Sequence, residues 1–116
     1  MTLALVALAG AAGVTARYAL GLLSASVWTT LAINVAGSLA PGVLVGAGRG
    51  LAPEVRDAVA IGLLGGFTTF STFSLQAVTE VEAGRVAAAL LYVAASVLLG
   101  VGSAAAGYAT ARALAG

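Results

Sequence analysis

The sequence contains no cysteine and no histidine, and its five basic residues are all arginine. Disulfides, thiolate sites, imidazole metal ligation and Ser-His catalysis are thereby excluded. Charge of either sign is scarce, at 8% of 116 residues, where a soluble domain carries roughly a quarter. So few charges cannot cover a water-facing surface. The net charge of +1 offers no basic stripe for a phosphate backbone, so nucleic acid is not an expected partner. No nucleophile–base pair or metal cluster can be assembled from what remains, and an enzyme is not expected. What the chain does have is apolar length: 61% hydrophobic residues and a mean hydropathy of +1.11. Composition alone places it in the membrane.

The few charges cut the chain into neutral runs. A spanning helix needs about 20 mostly apolar residues, and four stretches supply them: 3–23, with Arg17 its one charge, then 27–48, 58–78 and 86–109. The first lacks a basic leader and runs past signal length, so it is read as structure and not as a cleaved peptide. The intervening loops are short, which predicts antiparallel neighbours and one four-helix unit over residues 1–116. Arg49, Arg56 and Arg112 fall on the side of the N-terminus and Arg85 on the other, a mild bias toward both termini inside. A bundle this small encloses no central path, so any transport route calls for a second chain. Small-xxx-small spacings at Gly42/Gly46, Gly62/Gly66 and Gly100/Ala104 permit close helix approach, either within the chain or between two chains.

Polar groups at membrane depth are costly and mark a functional site or a helix contact. The second span carries Thr30, Asn34 and Ser38 at i, i+4 and i+8, on one face. Asn34 fits an interhelical hydrogen bond or a transport role equally well. Pro41 denies a hydrogen bond to the carbonyl of Gly37. In the third span, residues 62–74 place three glycines and five hydroxyl residues in what should be lipid. Glycine and β-branched threonine together weaken a helix, which predicts a break near Gly65–Thr69. Exposed carbonyls at such a break can hold a small cation such as Na⁺. Phe70 and Phe73 follow at i, i+3, beside a row of Thr68, Ser71 and Ser74. The fourth span adds Tyr92 and Ser96 at i, i+4. Tyr92 on its own reads as an interfacial anchor. With no fully embedded carboxylate, a proton-coupled exporter of organic cations lacks its relay. A non-transporting anchor subunit gives no reason for a hydroxyl-rich break beside two phenylalanines. Neutral donors and aromatic edges suit a small, strongly hydrated anion.

These motifs resemble the Fluc (CrcB) fluoride-channel family. Gly10, Gly13, Arg17 and Tyr18 are similar to its first-helix signature, and Thr30-Leu31, Asn34 and Gly37-Ser38 to its second. The run from Gly65 to Phe73 matches its third nearly letter for letter. The resemblance implies an all-α membrane protein of four helices, with a break in the third, assembled as an antiparallel dual-topology dimer. It implies passive fluoride export through two pores at the dimer interface, in a bacterial plasma (inner) membrane. Pore-lining positions would be Asn34, Phe70, Phe73, Ser71, Thr72, Tyr92 and Ser96, with Arg17 near a vestibule. The backbone carbonyls of Gly65 and Thr68 would share one structural Na⁺ with their counterparts. The partner would be a second copy of the chain or a paralogous chain. Ala9, Val14, Thr29, Leu39 and Gly100 depart from the common pattern. Gly100 in particular lacks a hydroxyl that some members place there.

Overall fold

In the computed structural model, which describes residues 1–47 and 50–115, all regular structure is helical. The order is α1 (Thr2–Leu23), α2 (Val27–Ala47), α3 (Pro53–Asp57), a π-helical stretch (Ala58–Leu64), α4 (Gly65–Phe67), α5 (Phe70–Glu82) and α6 (Val86–Ala115). Four spans are long and apolar enough to cross a membrane, the third running from Pro53 to Glu82. The expected end of the second span at Gly48, and the topology marker Arg49, lie outside the described residues.

Three expected bounds move outward, among them the end of the third span, from Val78 to Glu82. The third span starts at Pro53 and not at Ala58, because proline at the first helical position loses nothing by lacking an N–H and Glu54 in the first turn suits the positive helix end. The fourth runs on to Ala115, since alanine favours helix whether or not lipid surrounds it. Between the third and fourth spans the loop shrinks to three residues. Gly84 adopts a left-handed φ of 82°, its N–H meets the carbonyl of Val81, and the Arg85 N–H reaches that of Glu80. This is a Schellman closure, and the Arg85 side chain locks it with two hydrogen bonds to the Glu80 carboxylate, at 2.7 and 2.9 Å.

Packing joins alternate spans more than sequence neighbours: α2 lies mainly against α6, and α1 against the first half of the third span. Glycine makes both approaches. A Cβ on Gly42 would overlap the carbonyl of Ala104, and one on Gly46 would come 2.5 Å from that of Tyr108. Similarly, Gly62 sits 2.7 Å from the carbonyl of Val6, and Gly66 the same distance from that of Gly10, by the same measure. The Gly42/Gly46 and Gly62/Gly66 spacings thus serve packing within the chain. Gly100 does not, for the one atom near its absent Cβ is Ser38 Oγ at 3.9 Å. The buried hydrophobic core is small (Ile33, Phe73, Ala89, Tyr92 and Ala111), while residues such as Leu22, Leu98 and Leu114 stand largely exposed. That distribution suits a chain whose outer solvent is lipid.

Candidate functional site

The third span departs from α-helix twice. In the π stretch the Gly65 N–H reaches back to the carbonyl of Ala60, five residues away. The helix then stops. Thr68 is extended (φ −81°, ψ 159°), as is Thr69 (φ −149°, ψ 114°), and a new helix starts at Phe70. The break therefore falls on Thr68 and Thr69, the C-terminal edge of the segment predicted to break.

Three side chains hold it. Asn34, on α2, accepts from the Thr69 N–H at 2.8 Å and donates to the Thr69 carbonyl at 3.1 Å. The amide meets the N–H that the broken helix leaves unpaired and gives the Thr69 carbonyl, which as N-cap accepts the first bond of α5, a second donor. Thr69 Oγ1 accepts from the Thr72 N–H at 3.1 Å, capping α5. Arg17 Nε donates to the Gly66 carbonyl at 3.3 Å, placing a cation at the negative end of the helix before the break. Gly37 gives the break room: a Cβ there would collide with the methyl of Thr68.

A cavity of about 380 Å³ opens beside the break, lined by Asn34, Ser38, Thr69, Phe70, Phe73 and Ser96 among others. A second, of about 290 Å³, borders Arg17, Ser26, Thr29, Thr30, Thr72 and Gln76. Thr69 lines both, so the Asn34–Thr69 clamp stands where one gives way to the other. No carboxylate borders either cavity, and no cluster of acidic side chains able to hold a metal exists among the described residues.

The two phenylalanines differ. Phe73 is buried, with its ring 5.2 Å from that of Tyr92 in an edge-on arrangement. Phe70 lies 5.6 Å from Phe73 yet is 79% exposed. Tyr92 has no exposed surface, so it is not an interfacial anchor. Its hydroxyl donates to Gln76 Oε1 at 2.8 Å, toward the second cavity. Of the residues expected to line a path, Asn34, Phe70, Phe73 and Ser96 meet at the first cavity, and Thr72 and Arg17 at the second. Tyr92 and Ser71 border neither, and the Ser71 hydroxyl rests 3.4 Å from that of Thr69. The expected row of Thr68, Ser71 and Ser74 is not continuous, because the break separates its first member from the others. Thr68 and Ser74 donate to their own helices, at the carbonyls of Leu64 and Phe70. Gln76 and Thr29 were not anticipated. Gln76 could have been found as the third span's one amide, a turn beyond Thr72 on the same face.

The chain matches the family model described as CrcB-like protein, Camphor Resistance (CrcB), over residues 4–108. It is 48% identical to a protein named fluoride-specific ion channel FluC from Rhodospirillum centenum, the match covering 92% of each chain. A protein of the same name from Hyphomonas neptunium is 45% identical over 84% of each chain. The chain belongs to the CrcB family. These CrcB relatives are named as ion channels, not enzymes. The family match spans everything that builds the site, from Gly10 under the break to Ser96 and Gly100 on α6.

Proposed function

We propose that this chain is a passive, fluoride-selective ion channel that lets fluoride leave the cytoplasm and so lowers its toxicity. The observation that carries the reading is the pair of adjoining cavities, mostly apolar but set with hydroxyl and amide groups and, in the second, Arg17, without a carboxylate. The names of the relatives supply the ion. Fixed neutral donors replace water around a small anion, and a buried donor binds more strongly for lying in low dielectric. HF crosses membranes uncharged and dissociates in a neutral cytoplasm, which traps the anion. An inside-negative potential then drives it out, by about 2.3 kcal/mol per charge per 100 mV. No coupled energy source is required.

The working unit in this proposal is an antiparallel, dual-topology dimer of the chain, or of the chain with a paralogue, with two pores. Non-helical backbone at membrane depth needs protein or a polar cavity around it. Gly65 and Phe70, on either side of the break, are exposed in the single chain, and a second chain gives them that cover. A structural Na⁺ fits the same place. The Gly65 carbonyl has only a 3.5 Å contact from the Thr68 hydroxyl, and no hydrogen bond reaches the Thr68 carbonyl among the described residues. One chain offers two free carbonyls, and two chains offer four. When bound, Na⁺ supplies positive charge near the dimer centre, while this chain's part is to present those oxygens. The pore-lining set remains Asn34, Phe70, Phe73, Ser71, Thr72, Tyr92, Ser96 and Arg17, the setting a bacterial inner membrane.

The test is ion efflux from liposomes holding only this purified chain. Release of fluoride without chloride is expected. A well-folded preparation that releases neither, with or without a paralogous partner, refutes the reading.

A further inference from the structure

The polar side chains around the larger cavity are not equally free. Asn34 has committed its oxygen and one N–H to Thr69. The Thr68 hydroxyl donates to the Leu64 carbonyl, and Thr69 Oγ1 caps α5. Two hydroxyls are left. Ser96 Oγ on α6 is buried with no hydrogen-bond partner. Ser38 on α2 likewise forms no hydrogen bond among the described residues, although a helical serine ordinarily donates to a carbonyl of its own preceding turn.

These two hydroxyls come from different helices and border the same cavity. Ser38 Oγ points at the α6 backbone one turn beyond Ser96, where Gly100 leaves space: it is the one atom within 4 Å of the Cβ that Gly100 lacks, at 3.9 Å. A side chain at 100 would enter this gap. Glycine keeps it open, and Ser38 faces it.

We propose that Ser38 is a fluoride-contacting donor, giving its O–H to the anion from the α2 wall while Ser96 gives its own from α6. The ion sits in the cavity between the two hydroxyls, and Gly100 leaves room on α6 beside Ser38. A hydroxyl already bound to its helix would have to break that bond before meeting an ion, whereas Ser38 and Ser96 need only rotate. The role rests on the channel reading above and adds a ligand to it.

The experiment is fluoride efflux from liposomes for the wild-type chain, Ser38→Ala, and Ser38→Ala with Gly100→Ser, each checked for an unchanged elution profile in detergent. A hydrogen bond to a charged group corresponds to at least about a tenfold change, so Ser38→Ala slows efflux by about that factor. Gly100→Ser restores most of the rate, because it hangs a hydroxyl from α6 into the gap that Ser38 faced. A conducting wild type with unchanged Ser38→Ala efflux overturns the role of Ser38 alone. Slow efflux that Gly100→Ser fails to restore also overturns it, since Ser38 then acts through packing. A wild-type chain that releases no fluoride overturns the channel reading and this role with it.

Discussion

Replacing Asn34 by alanine removes both hydrogen bonds that fix Thr69, at 2.8 and 3.1 Å. Thr69 is only 9% exposed, so its N–H would be left buried and unpaired, while its carbonyl, which as the N-cap of α5 also accepts the first bond of that helix, would lose its second partner. The unpaired N–H costs about 1–3 kcal/mol and the lost bond to the carbonyl about 0.5–1.5 kcal/mol, which puts the loss at roughly 1.5–4.5 kcal/mol. A residue that merely lined a path would cost flux and leave stability alone. Asn34→Ala is therefore expected to lower both, with thermal unfolding in detergent read beside fluoride efflux from liposomes. Asn34→Asp separates the two contacts: its carboxylate accepts from the Thr69 N–H but, while ionised, cannot donate to the carbonyl. It also places a negative charge at the junction of the cavities, so it should block anion flux more completely than alanine does. The reasoning fails if Asn34→Ala unfolds at the wild-type temperature, for then the clamp does not hold the break.

Phe70→Ile and Phe73→Ile should both abolish fluoride efflux. Only Phe73→Ile should lower thermal stability within the chain, since Phe73 loses its buried edge contact with Tyr92, worth about 0.5–1.5 kcal/mol; equal melting of the two variants would contradict this. Gly42→Ala drives a methyl into the Ala104 carbonyl and should cost about 1–3 kcal/mol in a detergent melt, whereas Gly21→Ala, with nothing within 4 Å, should be neutral or slightly stabilising. Arg17→Ala frees the Gly66 carbonyl and should slow efflux, with partial recovery in Arg17→Gln, whose amide can still donate; a faster Arg17→Ala would argue against a role at the break.

Hydropathy displays the four spans because lipid imposes a single demand, about 20 apolar residues, and every charge but Arg17 falls between the apolar runs or at their ends. The break was legible too, because glycine and threonine at that density weaken a helix. Its seat on Thr68 and Thr69 was not, since Asn34 decides it from 35 residues away. The π stretch left no signal at all, being a hydrogen-bond register within an ordinary apolar run. Asn34 could be read from position as a contact or as a pathway group, and in the structure it is an interhelical contact at the wall of a cavity. Tyr92 taken alone read as an interfacial anchor, whereas the fold buries it completely and its phenol donates to Gln76, a contact that position on one helix does not reveal.

A path with no acidic lining still has to distinguish ions by sign, and the broken span offers a way to do it. Helix dipoles leave partial negative charge where a helix ends and partial positive charge where one begins. In this chain the two ends stand two residues apart, at Phe67 and Phe70. The ending helix presents carbonyls, one of them already drawing the Arg17 guanidinium. The starting helix opens with its amides at Phe70, a residue that borders the first cavity. Closing the break into one continuous helix would pair those groups with each other and erase both ends at once. The Asn34 clamp matters for this reason: by taking up the Thr69 N–H and carbonyl, it keeps the two helices from merging while bringing no charge of its own.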